Sequence, residues 1–225
     1  MQLKGKLILI DKDINWTSFD VVSKIRNFIK KKFNLKKLKV GHAGTLDPLA
    51  TGLLIICYGK MTKEIDSFIG LDKSYSGKMI IGSSTPSYDL ETKPNVFYQT
   101  DHINEKLIYE KVNEFIGDIM QKPPIFSAVK KNGIRSYKLA RQGEQVNLEK
   151  RKITIRDFKI TEINFPELSF QVNCSKGTYI RSLINDFGKA LKSGAHLTEL
   201  RRTKIGEFSV NDSLKVMDFI KTFKN

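Results

Sequence analysis

Cysteine, histidine and acidic residues are all scarce in this 225-residue chain. Its two cysteines, Cys57 and Cys174, both fall in strand-like apolar segments. Buried thiols in a reducing compartment are the expectation, and an oxidised pair is the alternative. Three scattered histidines and no paired-cysteine spacing leave no zinc-site pattern. Long apolar runs are missing too. The run nearest the N-terminus, Leu7 to Ile10, has four residues before an Asp. That is too short for a signal-peptide core or a membrane span, so a cytoplasmic location is expected. The chain also lacks a Gly-Lys-Ser/Thr ending and a dinucleotide fingerprint, which argues against a nucleotide-dependent enzyme.

The shortage of acids has a consequence of its own. With 24 Asp and Glu against 39 Lys and Arg, the net charge is +15. An excess of this size attracts polyanions, of which nucleic acid is the commonest. A lysine-rich background composition would give the same sign, so charge favours nucleic acid without singling it out. Hydrophobic residues at 40% and charged residues at 28% describe an ordinary globule. The length suits one large domain or two small ones.

What is present is concentrated between Val40 and Gly52, where one carboxylate, Asp47, sits among glycine, alanine, threonine and proline. Pro48 fixes its own φ and biases Asp47 away from the helical region. An apolar run, Leu53 to Cys57, follows directly. Upstream, Leu7 to Ile10 reads as a short strand, Asp11 to Trp16 as a loop, and Thr17-Ser18-Phe19-Asp20 as a capping box. Val21, Val22, Ile25, Phe28 and Ile29 then recur at helical spacing, with Lys24, Arg26 and Lys30 to Lys32 mostly elsewhere on the helix.

Downstream, Lys73 to Gly82 reads as a strand and Thr85 to Asn95 as an exposed, turn-rich segment. Asn104 is placed to cap a helix carrying Leu107, Ile108, Val112, Phe115 and Ile116. Gln121 to Gln145 is basic, with six Lys or Arg and a short helix expected over Ser136 to Arg141. Ile153 to Ile163 and Leu168 to Cys174 form an expected antiparallel pair, the second alternating apolar and polar. Ser175 to Thr178 turns into a helix with Ile180, Leu183, Ile184, Phe187 and Leu191 inward. Leu200 to Phe208 reads as a last strand, and Asp212 or Ser213 as the cap of a closing helix. Strands and helices do not alternate regularly, so the expected class is α+β with a mixed, mostly antiparallel sheet in a single domain.

Read whole, Gly41 to Lys63 resembles the signature of the tRNA pseudouridine synthases of the TruB family. The likeness runs from about Leu7 to Val210. It departs at Lys12-Asp13-Ile14-Asn15-Trp16-Thr17-Ser18, where the proline and glycine of the family's early motif are absent. The resemblance implies a pseudouridine synthase fold, isomerisation of uridine 55 in the tRNA T-loop, tRNA as partner, no cofactor and no metal. It implies that Asp47 is catalytic and that Arg181 is its ionic partner. Tyr75 would pack against the target uracil and help handle the carbon 5 proton. Tyr179 and Leu200 would line the pocket, and His42 would fill the space left by the flipped base. Residues 121–145 resemble the family's RNA-binding thumb. Lys63, Lys130 and Arg141 are candidates for backbone phosphates. The chain ends one helix after the last strand, so the further C-terminal RNA-binding domain of many relatives is not expected, and a monomer is.

The reaction cuts a glycosidic bond, rotates the base and joins carbon 5 to the ribose. One carboxylate suffices in principle, as nucleophile or as base toward the ribose, whereas hydrolytic glycosidases normally use two. Whether Asp47 attacks the sugar, attacks the base or removes a ribose proton is left open. The rival reading is a non-catalytic RNA binder on the same fold, which would need none of Asp47, Tyr75 and Arg181.

Overall fold

The computed structural model describes residues 5–127, 129–131, 133–142, 144 and 146–223. The chain packs as two compact units. One holds the residues up to Tyr75 and those from Leu200 onward, and the other holds Ser76–Glu199.

The first unit opens with β1 (Lys6–Lys12), which begins one residue before the expected strand and ends two after it. It continues with α1 (Ser18–Lys32), β2 (Val40–His42) and β3 (Thr51–Tyr58). A 3-10 turn (Gly59–Glu64), α2 (Ile65–Gly70) and the first residues of β4 (Lys73–Ile81) follow. Helix α1 starts where its capping box says. Asp20 N donates to Thr17 Oγ1 at 3.0 Å, and Thr17 N donates to Asp20 Oδ2 at 2.9 Å. Lys30, Lys31 and Lys32 crowd its last turn, where cations favour the dipole.

Strand β3 is buried along almost its whole length because both its faces are covered. Leu54, Ile56 and Tyr58 pack with Ile10 and the apolar stripe of α1. Leu53, Ile55 and Cys57 pack on the other side with Ala43 and Ile205. Each face has its own core, which is why the sequence runs apolar without alternation.

The second unit carries the rest of β4, β5 (Ser83–Ser84), β6 (Val96–Phe97), α3 (Glu105–Asn113) and β7 (Gly117–Gln121). The insertion supplies β8 (Lys130–Lys131), β9 (Ile134–Arg135) and α4 (Ser136–Arg141), the last with the expected bounds. Then come β10 (Arg151–Asn164), β11 (Glu167–Cys174), α5 (Ile180–Ala190) and the first half of β12 (Ala195–Ile205). Strands run in the order β4-β11-β10-β7, with β10 antiparallel to both β11 and β7. Phe158, Phe170 and Phe187 meet edge to face at 5.7 to 6.1 Å beneath α5. Asn104 caps α3 through Leu107 N, but the helix ends at Asn113, leaving Phe115 and Ile116 beyond it.

The end of β12 returns the chain to the first unit, followed by β13 (Phe208–Ser209), a 3-10 turn (Val210–Asp212) and α6 (Val216–Lys221). Here β1 and β2 pair antiparallel with β3, while β12 pairs parallel with it. The mixed, mostly antiparallel α+β class is as expected.

Three expectations need correction. Strand β12 begins at Ala195, not Leu200, because Ala195, His196 and Leu197 are buried strand residues. Neither Asp212 nor Ser213 caps α6. Its N-cap is Lys215, without a side-chain bond, and the two earlier residues end and cap the preceding 3-10 turn. Finally, Thr85, Ser87 and Asp89 are buried instead of exposed, since their polar groups are satisfied inside the second unit. Cys57 and Cys174 are both buried and not joined in a disulfide. Burial, reinforced by the charge of Glu64, pushes the Cys57 thiol up to about 11, far from a reactive thiolate.

Candidate active site

In the first unit, Asp47 lies between two residues that are each fastened to other elements. Before it, Leu46 N donates to Ser18 Oγ at 2.9 Å, and Ser18 Oγ donates to Leu46 O at 3.2 Å. After it, the carbonyl of Pro48 accepts from Asn15 N at 2.9 Å and from Lys12 Nζ at 3.3 Å. The turn closes on itself where Ala50 N donates to Asp47 O at 3.1 Å. The backbone that carries the half-buried Asp47 is thus pinned on both sides.

Lys12 is wholly buried, and its ammonium also donates to Trp16 O at 2.6 Å and Asp13 O at 2.9 Å. Burial drives it down to about 8, against the upward pull of Asp47 and then Asp13. The Lys12 ammonium therefore sits on the carbonyl of the residue after Asp47, within reach of that carboxylate's charge. On the other side of the loop, buried Arg202 donates from Nε to Leu53 O at 2.8 Å and from Nη2 to Gly44 O at 3.0 Å. Gly52, at φ +102, lies so close to the Arg202 backbone that any Cβ would collide with it. His42 ends β2; burial first, and then the Arg202 charge, lowers its pKa and favours the neutral ring.

Leu200 is brought to the same loop. Arg201 and Arg202 pair with Thr51 and Gly52, and the Leu200 carbonyl accepts from Thr51 Oγ1 at 3.5 Å. Arg201 is locked by a two-pronged bond to Asp11 at 2.9 and 3.0 Å, and Lys215 joins Asp11 at 3.0 Å and Asp13 at 2.6 Å. Burial pushes the Asp11 carboxyl up, but the bonds from Arg201 and Lys215 outweigh it and hold it below the usual range. Tyr75 sits half-buried on β4 next to Ser74, whose carbonyl accepts from Thr203 on β12. Asp47, His42, Tyr75 and Leu200 thus share this unit. Lys63 is exposed on the 3-10 turn after β3.

Tyr179 and Arg181 belong to the second unit. Arg181 is 4% exposed. It donates from Nη1 to Ser87 O at 3.0 Å and from Nη2 to Phe126 O at 2.8 Å, and its Nε lies 3.5 Å from Asp89 Oδ2. The ionic partner seen within the unit is therefore Asp89, which sequence reasoning missed. A signal for it existed. Ser83, Thr85, Ser87 and Asp89 recur at every second position, and all four are buried, although the chain is extended only at Ser83–Ser84 and turns from there on. Arg202 was missed as well, although neighbouring strand residues face opposite ways, so one of Arg201 and Arg202 had to turn inward.

In the insertion, Lys130 lies in β8 and Arg141 ends α4, with their side chains outside what is described. Among the described residues no cluster of His, Cys, Asp and Glu could hold a metal ion, and no helix is long and apolar enough to cross a membrane.

The chain matches the model of the TruB family pseudouridylate synthase N-terminal domain over residues 30–180. Residues 181–224 match the tRNA pseudouridylate synthase B C-terminal domain. A protein of Flavobacterium johnsoniae named tRNA pseudouridine synthase B is 56% identical over 218 residues, covering 96% of this chain and 95% of that protein. One of the same name from Phocaeicola vulgatus is 50% identical over 216 residues, covering 96% and 92%. Among solved structures, a chain of a Cbf5-Nop10-Gar1 complex superposes with a TM-score of 0.70 at 30% identity, over 96% of this chain and 53% of that one. A chain of an H/ACA RNP bound to a substrate RNA containing 2′-deoxyuridine gives 0.68 at 28% identity, over 96% and 52%. This chain thus spans about half the length of those two solved chains.

Proposed function

Because the chain belongs to the TruB family of pseudouridylate synthases, we propose that it isomerises uridine 55 in the T-loop of tRNA to pseudouridine. The observation that carries this reading is Asp47, held from both sides by Ser18, Lys12 and Asn15 in the loop that resembles the family signature. Near-full-length relatives named for the tRNA reaction support the substrate class.

In the reaction the bond from N1 to C1′ breaks, the uracil turns, and C5 joins C1′; the C5 proton leaves and N1 takes one up. No group is lost overall, so no redox partner is required. Asp47 supplies the carboxylate that acts on the substrate, and pre-set geometry spares the cost of ordering it at the moment of reaction. Tyr75 packs against the base and handles the C5 proton. By the family resemblance Tyr179 and Leu200 are substrate-binding residues and Arg181 is the ionic partner of the catalytic carboxylate. A T-loop uridine must leave its stack to reach Asp47, and His42, neutral by burial, fills the gap without adding a charge. Lys63, Lys130 and Arg141 meet backbone phosphates. The protein works on tRNA as a monomer in the cytoplasm.

The test is to incubate an unmodified tRNA transcript with the purified protein and map pseudouridine by position. Modification confined to position 55 is expected. An unmodified transcript overturns the reading.

A further inference from the structure

Gln121 ends β7 and opens the basic insertion, yet it is only 3% exposed. Its amide binds one residue at both ends of the backbone unit. Tyr179 N donates to Oε1 at 2.8 Å, and Nε2 donates to Tyr179 O at 3.0 Å. The amide can face only one way, since a flip would set donor against donor. Tyr179 is the residue before α5, at φ −98 and ψ 107, and has no side-chain cap of its own. The Gln121 amide therefore satisfies the Tyr179 N–H, which a helix start otherwise leaves to water or a cap, and adds a second donor to a carbonyl that already accepts from Leu183 N at 3.0 Å.

Two further bonds tie the same places together. Arg181 Nη2 donates to Phe126 O and Ser182 Oγ donates to Lys122 O, each at 2.8 Å. Residues 121, 122 and 126, at the root of the insertion, thus hold residues 179, 181 and 182, at the first turn of α5. The basic insertion and the two candidate site residues of this unit share one set of hydrogen bonds.

We propose that Gln121 is a positioning residue for the substrate pocket, setting the backbone of Tyr179 and the direction in which α5 presents Arg181. The inference rests on the reading of Tyr179 and Arg181 as site residues. Gln121 touches no substrate; it acts through the tyrosine. An amide is suited to the task because it carries a donor and an acceptor on one rigid plane. A side chain lacking the acceptor loses the bond from Tyr179 N, and one lacking the donor loses the second bond to Tyr179 O, which also accepts from Leu183 N at 3.0 Å.

The experiment compares wild type, Gln121→Leu, Gln121→Glu and Asn104→Ala on an unmodified tRNA transcript. The last variant removes the cap of α3, whose side chain accepts from Leu107 N, and serves as a control for destabilisation alone. Single-turnover rate at saturating tRNA, tRNA affinity and Tm are measured, the first two well below every Tm. Displacing reacting groups by about 1 Å costs on the order of a hundredfold, so both Gln121 variants are expected to lose at least about tenfold in rate with affinity nearly unchanged. Asn104→Ala should lose Tm and keep its rate. Gln121→Glu retains the acceptor for Tyr179 N and the side-chain shape, so it decides the question if Gln121→Leu does not fold. Gln121 variants that lose Tm but keep the wild-type rate overturn the inference alone. A wild type that makes no pseudouridine overturns the functional reading, and this one with it.

Discussion

Ser18 and Leu46 exchange two hydrogen bonds through one hydroxyl, which takes the Leu46 amide at 2.9 Å and gives to the Leu46 carbonyl at 3.2 Å. The first residue of α1 is thereby fastened to the residue that precedes Asp47. The capping box that starts the helix and the loop that carries the carboxylate are consequently one problem in packing.

Ser18→Ala leaves that buried amide and carbonyl unpaired, at a cost of about 1–3 kcal/mol. Urea denaturation should show the loss, and single-turnover assays should show a slower reaction with tRNA affinity preserved. A variant with wild-type stability would mean that the Ser18 bonds contribute nothing net.

Lys12 gives a prediction in pH. Its pKa falls from 10.5 to about 8 on folding, with burial the largest cause. Between those values the unfolded chain holds the proton and the folded chain does not, so this group's contribution to stability rises with pH across the window. Activity should move the other way, because above about pH 8 the cation bound to the Pro48 carbonyl, next to Asp47, is discharged. The expected profile has a falling alkaline limb without a matching fall in Tm. In Lys12→Met the limb should vanish and the rate should be low throughout. An unchanged limb in that variant would assign it to another group.

Much of the site was legible in the sequence because its signals are local. The capping box occupies four consecutive residues, and the Asp47 loop leads directly into β3. The parts that stayed hidden depend on distant partners. Asp89 lies in a segment whose polarity suggested exposure, and the guanidinium arriving from α5 joins the local hydrogen bonds in satisfying it where it is buried. Gln121 resembles any polar residue at the end of a strand until Tyr179 is brought to it. The three carbonyls around Lys12 converge only once the loop is folded.

Asp89→Asn tests the Arg181 pair. The side chains of Arg181 and Asp89 are 4% and 9% exposed, so removing the carboxylate takes one buried charge away from the guanidinium. Breaking a buried pair from one side costs on the order of 3–5 kcal/mol. Chemical denaturation should register a loss of that order, and turnover should drop. Wild-type stability would show that the other partners of Arg181, the Ser87 and Phe126 carbonyls among them, suffice to hold it.

The basic insertion should contribute affinity more than rate. Replacing Lys130, Lys138 and Arg141 with Ala is expected to weaken tRNA binding and flatten its dependence on salt. Each phosphate that is no longer neutralised lowers the log–log slope by about 0.7 to 0.9. Single-turnover rate at saturating tRNA should change less. Identical slopes for wild type and variant would shift RNA binding to other basic surfaces, such as the lysines of α1.

Asp47 is expected to carry the chemistry, while the other candidate site residues hold tRNA. Asp47→Asn keeps the shape of the side chain and removes its charge, so the direct measurement is pseudouridine formed at position 55 under single-turnover conditions, with tRNA affinity measured in parallel. No detectable product is expected, at nearly unchanged affinity. Product formed at close to the wild-type rate would contradict that role for Asp47.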